Sequence, residues 1–260
     1  MTSIDIPESV TSIGNSAFRN CSSLTSIDIP DNVTSIGRWA FDGCTGLTSI
    51  DIPGKVTSMG NNAFEDCSSL ISVNISNGVV SIGDYAFYRC NNITNINIPE
   101  SVTSIGIGAF QSCTGLTSID IPESVTSIGS GAFQECNSLT NIRIPDGITI
   151  IDDYTFYLCS SLTSIDIPRI VISIGSSAFQ SCSALTSISI PDSVTSIGEW
   201  AFVSCSSLTS ISIPKSVTSI GDAFSDNAED LVIYGEAGSY AEKYAKAKNI
   251  TFSTEPMPTV

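Results

Sequence analysis

The cysteines of this chain stand at a constant interval of 23 residues, and a whole 23-residue pattern recurs with them. The stretch Leu24 to Gly46, LTSIDIPDNVTSIGRWAFDGCTG, represents the unit, and near-copies of it extend from residue 1 to about residue 237. A fixed period of this length is typical of a solenoid, in which each repeat forms one coil that buries its apolar face against its neighbours. The spacing therefore predicts a stack of about ten coils. The nine cysteines are Cys21, Cys44, Cys67, Cys90, Cys113, Cys136, Cys159, Cys182 and Cys205.

Within the unit, apolar and polar residues alternate in two short runs that predict strands. The run Leu24–Ile29 directs its leucine and isoleucines inward and Asp28 outward, as a half-buried strand does. Pro30 ends this strand, because a proline has no N–H group with which to continue the ladder. A second run occupies residues 33–36. Phe41 then belongs to a tight turn or a single helical turn and, as the largest side chain of the unit, should dominate the buried area of its coil.

The repeated pattern resembles one known family. L-x-x-I-x-I-P-x-x-V-x-x-I-G-x-x-A-F-x-x-C is similar to the Treponema-type, or BspA-like, leucine-rich repeat, and the resemblance covers residues 1 to about 237. It implies a curved right-handed solenoid with a parallel sheet on the concave side. It also implies a bacterial or protist surface protein that binds host matrix proteins or other cells, and hence an extracellular or cell-surface location. The alternative is a cytoplasmic protein.

The two ends of the chain differ from the repeats between them. Met1 occupies the register of Leu24, so the sequence starts inside a repeat, contains no signal peptide and is interpreted as a fragment. At the other end, Ser239 and Glu242 have the spacing of a capping box. We therefore predict a helix at 239–248 and a strand at 250–252. The expected organisation is a solenoid over 1–237, a C-terminal cap over 238–252 and a polar tail over 253–260.

The charge of the chain restricts its partners. There are 26 acidic and 10 basic residues, which gives a net charge of −16. Nucleic acids and anionic membranes recruit clustered lysine and arginine, so we expect neither as a partner. The sequence also has no apolar run long enough to span a bilayer, and membrane insertion is not expected. The acidic balance favours a protein partner, in particular a cationic one.

The cysteines themselves do not indicate a metal or a cofactor. No C-x-x-C motif occurs, the chain contains no histidine, and the number of cysteines is odd. We interpret them as a buried column of free thiols that pack as small apolar groups. Disulfides between adjacent coils are the alternative, because stacked coils bring successive cysteines to about 5 Å. Without histidine, and with the thiols buried, the sequence offers little for acid–base or nucleophilic chemistry, and we expect no enzyme.

One outward column of the predicted concave sheet is strongly acidic. Stacked carboxylates repel each other unless solvent, a cation or a basic partner screens them. A solvated face, a patch for a basic protein and a Ca²⁺ site are the three interpretations, and a flat row provides few of the six or more oxygens that Ca²⁺ requires. Strand pairing is expected to place Arg143 in contact with Asp120 and Asp166. The Asp28 column, as we name this register, contains Asp5, Asp28, Asp51, Asn74, Asn97, Asp120, Arg143, Asp166, Ser189 and Ser212.

A second candidate column carries aromatic residues just before the conserved alanine of the unit. These are Trp39, Tyr85, Tyr154 and Trp200, and Tyr88 and Tyr157 follow the phenylalanine in two of the same coils. Partly exposed aromatic residues often serve as interface hot spots or sugar platforms. Packing over the edge of the neighbouring coil is the structural alternative.

The functional expectation is a non-enzymatic protein-binding or adhesion module. Its candidate contact residues are the charged members of the Asp28 column together with the four aromatics that precede the alanine. The alternative function is a structural spacer that carries another domain and has no ligand of its own. Self-association through the uncapped first coil is a further expectation, because its strands leave an unpaired edge.

Overall fold

The computed structural model describes residues 2–258, which form a solenoid of stacked coils closed by one helix. The helix is α1 (Tyr240–Lys248). The strands are β1 (Ser3–Ile4), β2 (Ser12–Ile13), β3 (Ser26–Ile27), β4 (Ser35–Ile36), β5 (Ser49–Ile52), β6 (Ser72–Ile75), β7 (Ser81–Ile82), β8 (Ser104–Ile105), β9 (Ser127–Ile128), β10 (Ile150–Ile151), β11 (Ser173–Ile174), β12 (Ser187–Ser189), β13 (Ser196–Ile197), β14 (Ser210–Ser212), β15 (Ser219–Ile220), β16 (Val232–Tyr234) and β17 (Thr251–Ser253).

Two parallel ladders run along the solenoid, one for each apolar run of the unit. In the first ladder β1 pairs with β3, β5 with β6, and β12 with β14, each with a shift of one repeat. In the second ladder β2 pairs with β4 and β7 with β8 in the same way. Equivalent residues of successive coils therefore lie side by side, which confirms the predicted parallel solenoid.

Threonines support both ladders from outside the core. Thr25 Oγ1 donates to the carbonyl oxygen of Thr2 at 3.0 Å, and Thr34 Oγ1 donates to that of Thr11 at 3.1 Å. The backbone N–H groups of the same two threonines donate to the same carbonyls. Each threonine thus holds its coil to the preceding one twice, which explains why this residue recurs in an exposed register.

Most strands are shorter than the sequence predicts. The run Leu24–Ile29 contributes only the two residues of β3, whereas β5 and β6 have four residues each. Pro53 follows β5, but its partner β6 is followed by Ser76, which donates its backbone N–H to the Ile52 carbonyl at 3.0 Å and extends the ladder between the two strands. Most other coils have a proline at this point, which has no N–H to donate, and their ladders end earlier.

The segment after the second strand is a series of tight turns, which is the first of the two predicted alternatives. Ala40 donates its N–H to Gly37, and Cys44 donates its N–H to Phe41, each three residues back. Between them Trp39 and Gly43 have φ angles of 54° and 70°, in the left-handed region. Two left-handed residues per coil reverse the chain direction where a helix would continue.

A continuous stack of phenylalanine rings fills this end of each coil. The rings of Phe110, Phe133 and Phe156 lie 5.7 and 5.8 Å apart, are within 6° of parallel and are fully buried. The stack extends from Phe18 to Phe224. The predicted role of phenylalanine as the central core residue is confirmed.

The cysteines lie beside this stack as free thiols, as predicted, with one correction. Eight of them, from Cys44 to Cys205, are buried, whereas Cys21 in the first coil is partly exposed. Each buried thiol donates to the carbonyl oxygen of a phenylalanine in the preceding coil, for example Cys67 to Phe41 at 3.2 Å. Cys21 belongs to the first coil, where its neighbours cover only one side.

A helix and a strand close the C-terminal end where the sequence predicts them. Ser239 caps α1 by accepting the N–H of Glu242 at 3.2 Å. The carboxylate of Glu242 accepts the N–H of Gly238, one residue before the position that a capping box uses. Tyr244 packs its ring edge-on against Phe224 at 5.8 Å, so the helix covers the last ring of the stack. β17 then adds to β16.

Candidate functional site

The Asp28 column is a single exposed row on the first ladder. Register pairs join Asp51 to Asn74 and Arg143 to Asp166 across neighbouring coils. All residues of the column are exposed except Ser212, which is half-buried. The side chains point outward because the apolar residues on either side of each, such as Ile27 and Ile29 around Asp28, are buried.

The N-terminal part of this column lines a shallow groove of about 350 Å³. Asp5, Asp28 and Asp51 contribute three carboxylates to it, and serines and isoleucines of β1, β3 and β5 form its remaining wall. Among residues 2–258, no lysine or arginine forms an ion pair with any of these three aspartates. The groove therefore presents uncompensated negative charge to solvent.

Arg143 does not make the contacts that the sequence suggests. It occupies the expected register beside Asp166, but its guanidinium pairs with Glu123 of the preceding coil, with Nη2 and Oε1 2.7 Å apart. Both side chains are largely exposed. Glu123 lies at the corner after the first strand of its coil, where the long side chain of Arg143 reaches it. Sequence register alone indicates Asp120 and Asp166 and does not predict this contact.

The aromatic candidates share an unusual backbone conformation. Trp39, Tyr85, Tyr154 and Trp200 have φ angles between 54° and 59°. This left-handed region is unfavourable for bulky side chains, by about 1–2 kcal/mol per residue. Other coils place Gly108 or Gly131 in the same register. These glycines indicate the left-handed conformation in the sequence, although the aromatic residues alone do not predict it.

The four aromatic residues differ in exposure. Trp39 and Tyr85 are half-buried, whereas Tyr154 and Trp200 are 40% and 51% exposed. Tyr85 extends along the column over the next coil: a Cβ atom added to Gly108 would lie 2.4 Å from its ring. Edge packing over the neighbouring coil therefore accounts for Tyr85, but leaves much of the other two rings, those of Tyr154 and Trp200, free.

An acidic cluster lies elsewhere on the turns. Carboxylate oxygens of Asp42, Glu65 and Asp66 are within 4.8 Å of one another. Burial raises the pKa of Glu65, and the Nε of Arg19 is 2.7 Å from the carboxylate of Asp42. Arg19 neutralises part of this cluster, and the one oxygen that each of the three carboxylates contributes gives three of the six or more ligands that Ca²⁺ requires.

The thiols are unsuited to nucleophilic chemistry. Burial raises the pKa of Cys113, Cys159 and Cys205 to about 12, from an ordinary value of 9.0. A thiol is reactive as the thiolate. At neutral pH these groups are therefore protonated, and their protons are committed to phenylalanine carbonyls.

Within residues 2–258, no helix has the length and apolar character required to cross a bilayer. The described helix α1 has nine residues and ends in a basic turn. It caps the solenoid through its buried face.

The chain is similar in structure to several solved leucine-rich repeat proteins. One from Bacteroides ovatus is 30% identical, with 97% of this chain and 83% of that one covered and a TM-score of 0.57. A leucine-rich repeat protein from T. pallidum is also 30% identical, covering 70% of this chain and 81% of its own, with a TM-score of 0.58. The pneumococcal vaccine antigen PcpA shares the fold at 18% identity, over 98% of this chain and 80% of that one, with a TM-score of 0.60.

Sequence comparison agrees with the structural likeness. No curated protein matches the chain significantly in sequence. The family described as the BspA type leucine-rich repeat region matches residues 1–117 and 103–231, in six copies. These matches span the same coils that carry the ladders and the phenylalanine stack. The chain is therefore a member of the BspA-type leucine-rich repeat family.

Proposed function

We propose that this chain is a non-enzymatic protein-binding module of a cell surface, and that its Asp28 column contacts a basic protein. The observation that carries the proposal is the groove lined by Asp5, Asp28 and Asp51, whose carboxylates are exposed and lack ion-pair partners among residues 2–258. A row of like charges steers an oppositely charged partner toward it. Family membership supports the surface location, since the resemblance implies surface proteins that bind matrix components or other cells.

The test is binding of the chain to immobilised extracellular matrix proteins over a range of salt concentrations. Asp28→Asn combined with Asp51→Asn should slow association and reduce the salt dependence. The matched control is Asp192→Asn with Glu229→Gln, which removes the same charge from exposed positions outside the column. Equal effects of the two double variants, or binding that salt does not alter, would argue against the column as the contact surface.

A structural spacer is the second candidate function. What favours it is the unbroken core, in which one ring stack extends from Phe18 through Phe224 to Tyr244. A spacer requires such a core and no ligand. Failure of the chain to bind any matrix protein, with the Asp28 column intact or neutralised, would favour the spacer.

We further propose that the first coil mediates self-association. Its strands β1 and β2 each pair on one side, with β3 and β4, and Ile4 and Phe18 are half-buried. An unpaired strand edge beside apolar surface invites pairing with a second chain. Addition of a polar N-terminal capping repeat should shift the sedimentation coefficient toward that of the monomer, and identical sedimentation of both proteins would contradict self-association.

A further inference from the structure

Two aromatic sets on the turns have the same composition but different surroundings. The N-terminal set consists of Trp39 with Tyr85 and Tyr88, and the C-terminal set of Trp200 with Tyr154 and Tyr157. In each set the tryptophan and the first tyrosine are 46 residues apart, which is two coils or about 10 Å along the column. The tyrosine pairs also match: their ring centroids are 5.9 Å apart in both sets, at interplanar angles of 71° and 82°.

In the N-terminal set, arginines of the same chain already lie over the rings. The guanidinium carbon of Arg38 is 4.7 Å from the Trp39 ring centroid, and that of Arg19 is 5.8 Å away. The guanidinium carbon of Arg89 is 5.1 Å from the Tyr88 ring. These distances are within the range in which a cation is attracted to an aromatic face.

In the C-terminal set, each of these arginines is replaced. Glu199 stands in the register of Arg38, Gln180 in that of Arg19, and Leu158 in that of Arg89. Across the part of the chain that the structure describes, no arginine or lysine lies over Tyr154, Tyr157 or Trp200. Trp200 is 51% exposed, whereas Trp39 beneath Arg38 is half-buried. Tyr154 is 40% exposed, whereas Tyr85, which packs over Gly108, is half-buried.

The charge around the C-terminal set is also negative. Asp152, Asp153 and Glu199 are exposed beside its rings in sequence. Asp153 Oδ1 accepts the N–H of Ser176 at 2.6 Å, and Glu199 Oε2 accepts that of Asp222 at 2.9 Å, which fixes both side chains at the turn surface. A cation stacked on these rings is therefore stabilised both by the aromatic faces and by nearby carboxylates.

The left-handed backbone at these aromatic residues belongs to the repeat and is present in this register from Ser16 to Trp200. Tyr154 and Trp200 retain φ angles of 58° and 59° in a register where glycine serves in other coils. A bulky residue in this register bears a conformational cost that glycine avoids. Packing explains the strain at Tyr85, which covers Gly108, but it leaves the exposed faces of Tyr154 and Trp200 without an intramolecular role.

We propose that Tyr154, Tyr157 and Trp200 form a receptor for arginine side chains of a basic protein segment. The N-terminal set shows within the same molecule what such a complex is like, since Arg38 and Arg89 fill the equivalent places there. The inference rests on the proposed protein-binding function and specifies the chemistry of the partner. Arginine is preferred to lysine because its planar guanidinium stacks on aromatic faces.

The test uses a hexa-arginine peptide as the probe and a Trp39→Phe background, in which Trp200 is the sole tryptophan. Binding should change the Trp200 fluorescence, and hexa-lysine should bind less tightly. Tyr154→Leu with Trp200→Leu, followed by calorimetry, should weaken hexa-arginine binding about tenfold, without any change in net charge. Tyr85→Leu is the matched control, and its effect should stay within about twofold.

A further variant fills the receptor with an arginine of the same chain, and a second variant is its control. Leu158 has a φ angle of 59°, identical to that of Arg89, so Leu158→Arg should direct a guanidinium onto Tyr157 and weaken hexa-arginine binding severalfold. Asn20→Arg adds the same charge at an identical φ of 59° in the first coil, six coils away from the receptor. It should weaken binding much less.

Several outcomes would overturn the receptor. These are equal effects of Leu158→Arg and Asn20→Arg, Trp200 fluorescence that stays constant at saturating hexa-arginine, or quenching of Trp200 by a neutral oligosaccharide and not by the peptide. If Asp28→Asn with Asp51→Asn abolishes matrix-protein binding while the aromatic variants bind normally, the receptor is wrong and the proposed function stands. If neither group of variants affects binding of any protein, both are wrong.

Discussion

The thiol of Cys136 donates a hydrogen bond of 3.2 Å to the carbonyl oxygen of Phe110, so a side chain of one coil closes the turn of the coil before it. The same carbonyl also accepts the backbone N–H of Cys113 in its own coil. This arrangement recurs for all eight buried cysteines, from Cys44 bonded to Phe18 to Cys205 bonded to Phe179. Cysteine is thus selected here as a small apolar side chain that still carries a proton to donate.

Replacement of Cys136 should separate packing from hydrogen bonding. Cys136→Ala removes the second donor to a buried carbonyl and should lower the free energy of unfolding by about 1–2 kcal/mol. Cys136→Ser retains a donor of similar size and should be less destabilising. Urea denaturation of both variants checks this order, and a serine variant clearly less stable than the alanine variant would contradict the role of the thiol proton.

Thiol labelling should distinguish the first coil from the rest. Cys21 is partly exposed and should react with a maleimide in the native protein, whereas the other eight thiols are buried and should react slowly until the chain is denatured. Cys21→Ser is the control and should abolish the fast phase. Mass spectrometry under non-reducing conditions that finds disulfides between adjacent coils would contradict the column of free thiols.

Removal of a ring from the middle of the stack should destabilise the chain strongly. Phe133 is fully buried between two parallel rings, and Phe133→Ala should reduce the free energy of unfolding by about 3–5 kcal/mol. Phe18→Ala is the matched variant at the half-buried end of the stack and should cost clearly less. Because coil stability is coupled to neighbours, Phe133→Ala is also expected to divide unfolding into two steps in calorimetry.

The buried thiols should make the protein sensitive to alkali. Cys113, Cys159 and Cys205 have pKa values raised by burial to about 12 in the folded chain, against 9.0 for an ordinary thiol. Their contribution to stability is complete below pH 9.0 and decreases as pH rises toward 12, because only the unfolded chain releases these protons. The free energy of unfolding should fall in that window by about 1.4 kcal/mol per pH unit for each thiol.

Urea denaturation under reducing conditions, in steps from about pH 8 to about pH 11, measures this slope. Cys113→Ala with Cys159→Ala should reduce it by the contribution of two thiols, while other titrating groups remain the same. An unchanged slope in this variant would show that these thiols do not titrate differently in the folded and unfolded states.

Arg143 should matter little for stability and more for recognition. Its ion pair with Glu123 is exposed, so a double-mutant cycle with Arg143→Gln and Glu123→Gln should give a coupling below about 1 kcal/mol. Arg143→Asp extends the negative charge of the Asp28 column and should strengthen binding of a basic partner at low salt. Arg169→Asp, which makes the same charge change at another exposed position, is the control and should have the smaller effect.

The 23-residue period determines most of the architecture without reference to the structure. It predicts the parallel solenoid, the inward leucines, isoleucines and phenylalanines, and the column of thiols. These features follow from sequence because each coil has the same neighbours, so an apolar position in one unit is an apolar position in all. The helix after Ser239 is equally readable, because the capping residue and the basic last turn are local signals.

The tertiary structure decided which side chains meet across coils. Arg143 reaches Glu123 instead of Asp120 or Asp166, and each of the eight buried cysteines donates to the phenylalanine carbonyl 26 residues earlier. The period identifies neighbouring coils, but it does not specify where a long side chain ends or which carbonyl faces a buried thiol. The exposure of the aromatic side chains likewise depends on which other side chains contact their rings. Arg38 and Arg89 fold over rings of the N-terminal set, whereas Trp200 is exposed and Glu199, in the register of Arg38, provides no cation to cover it.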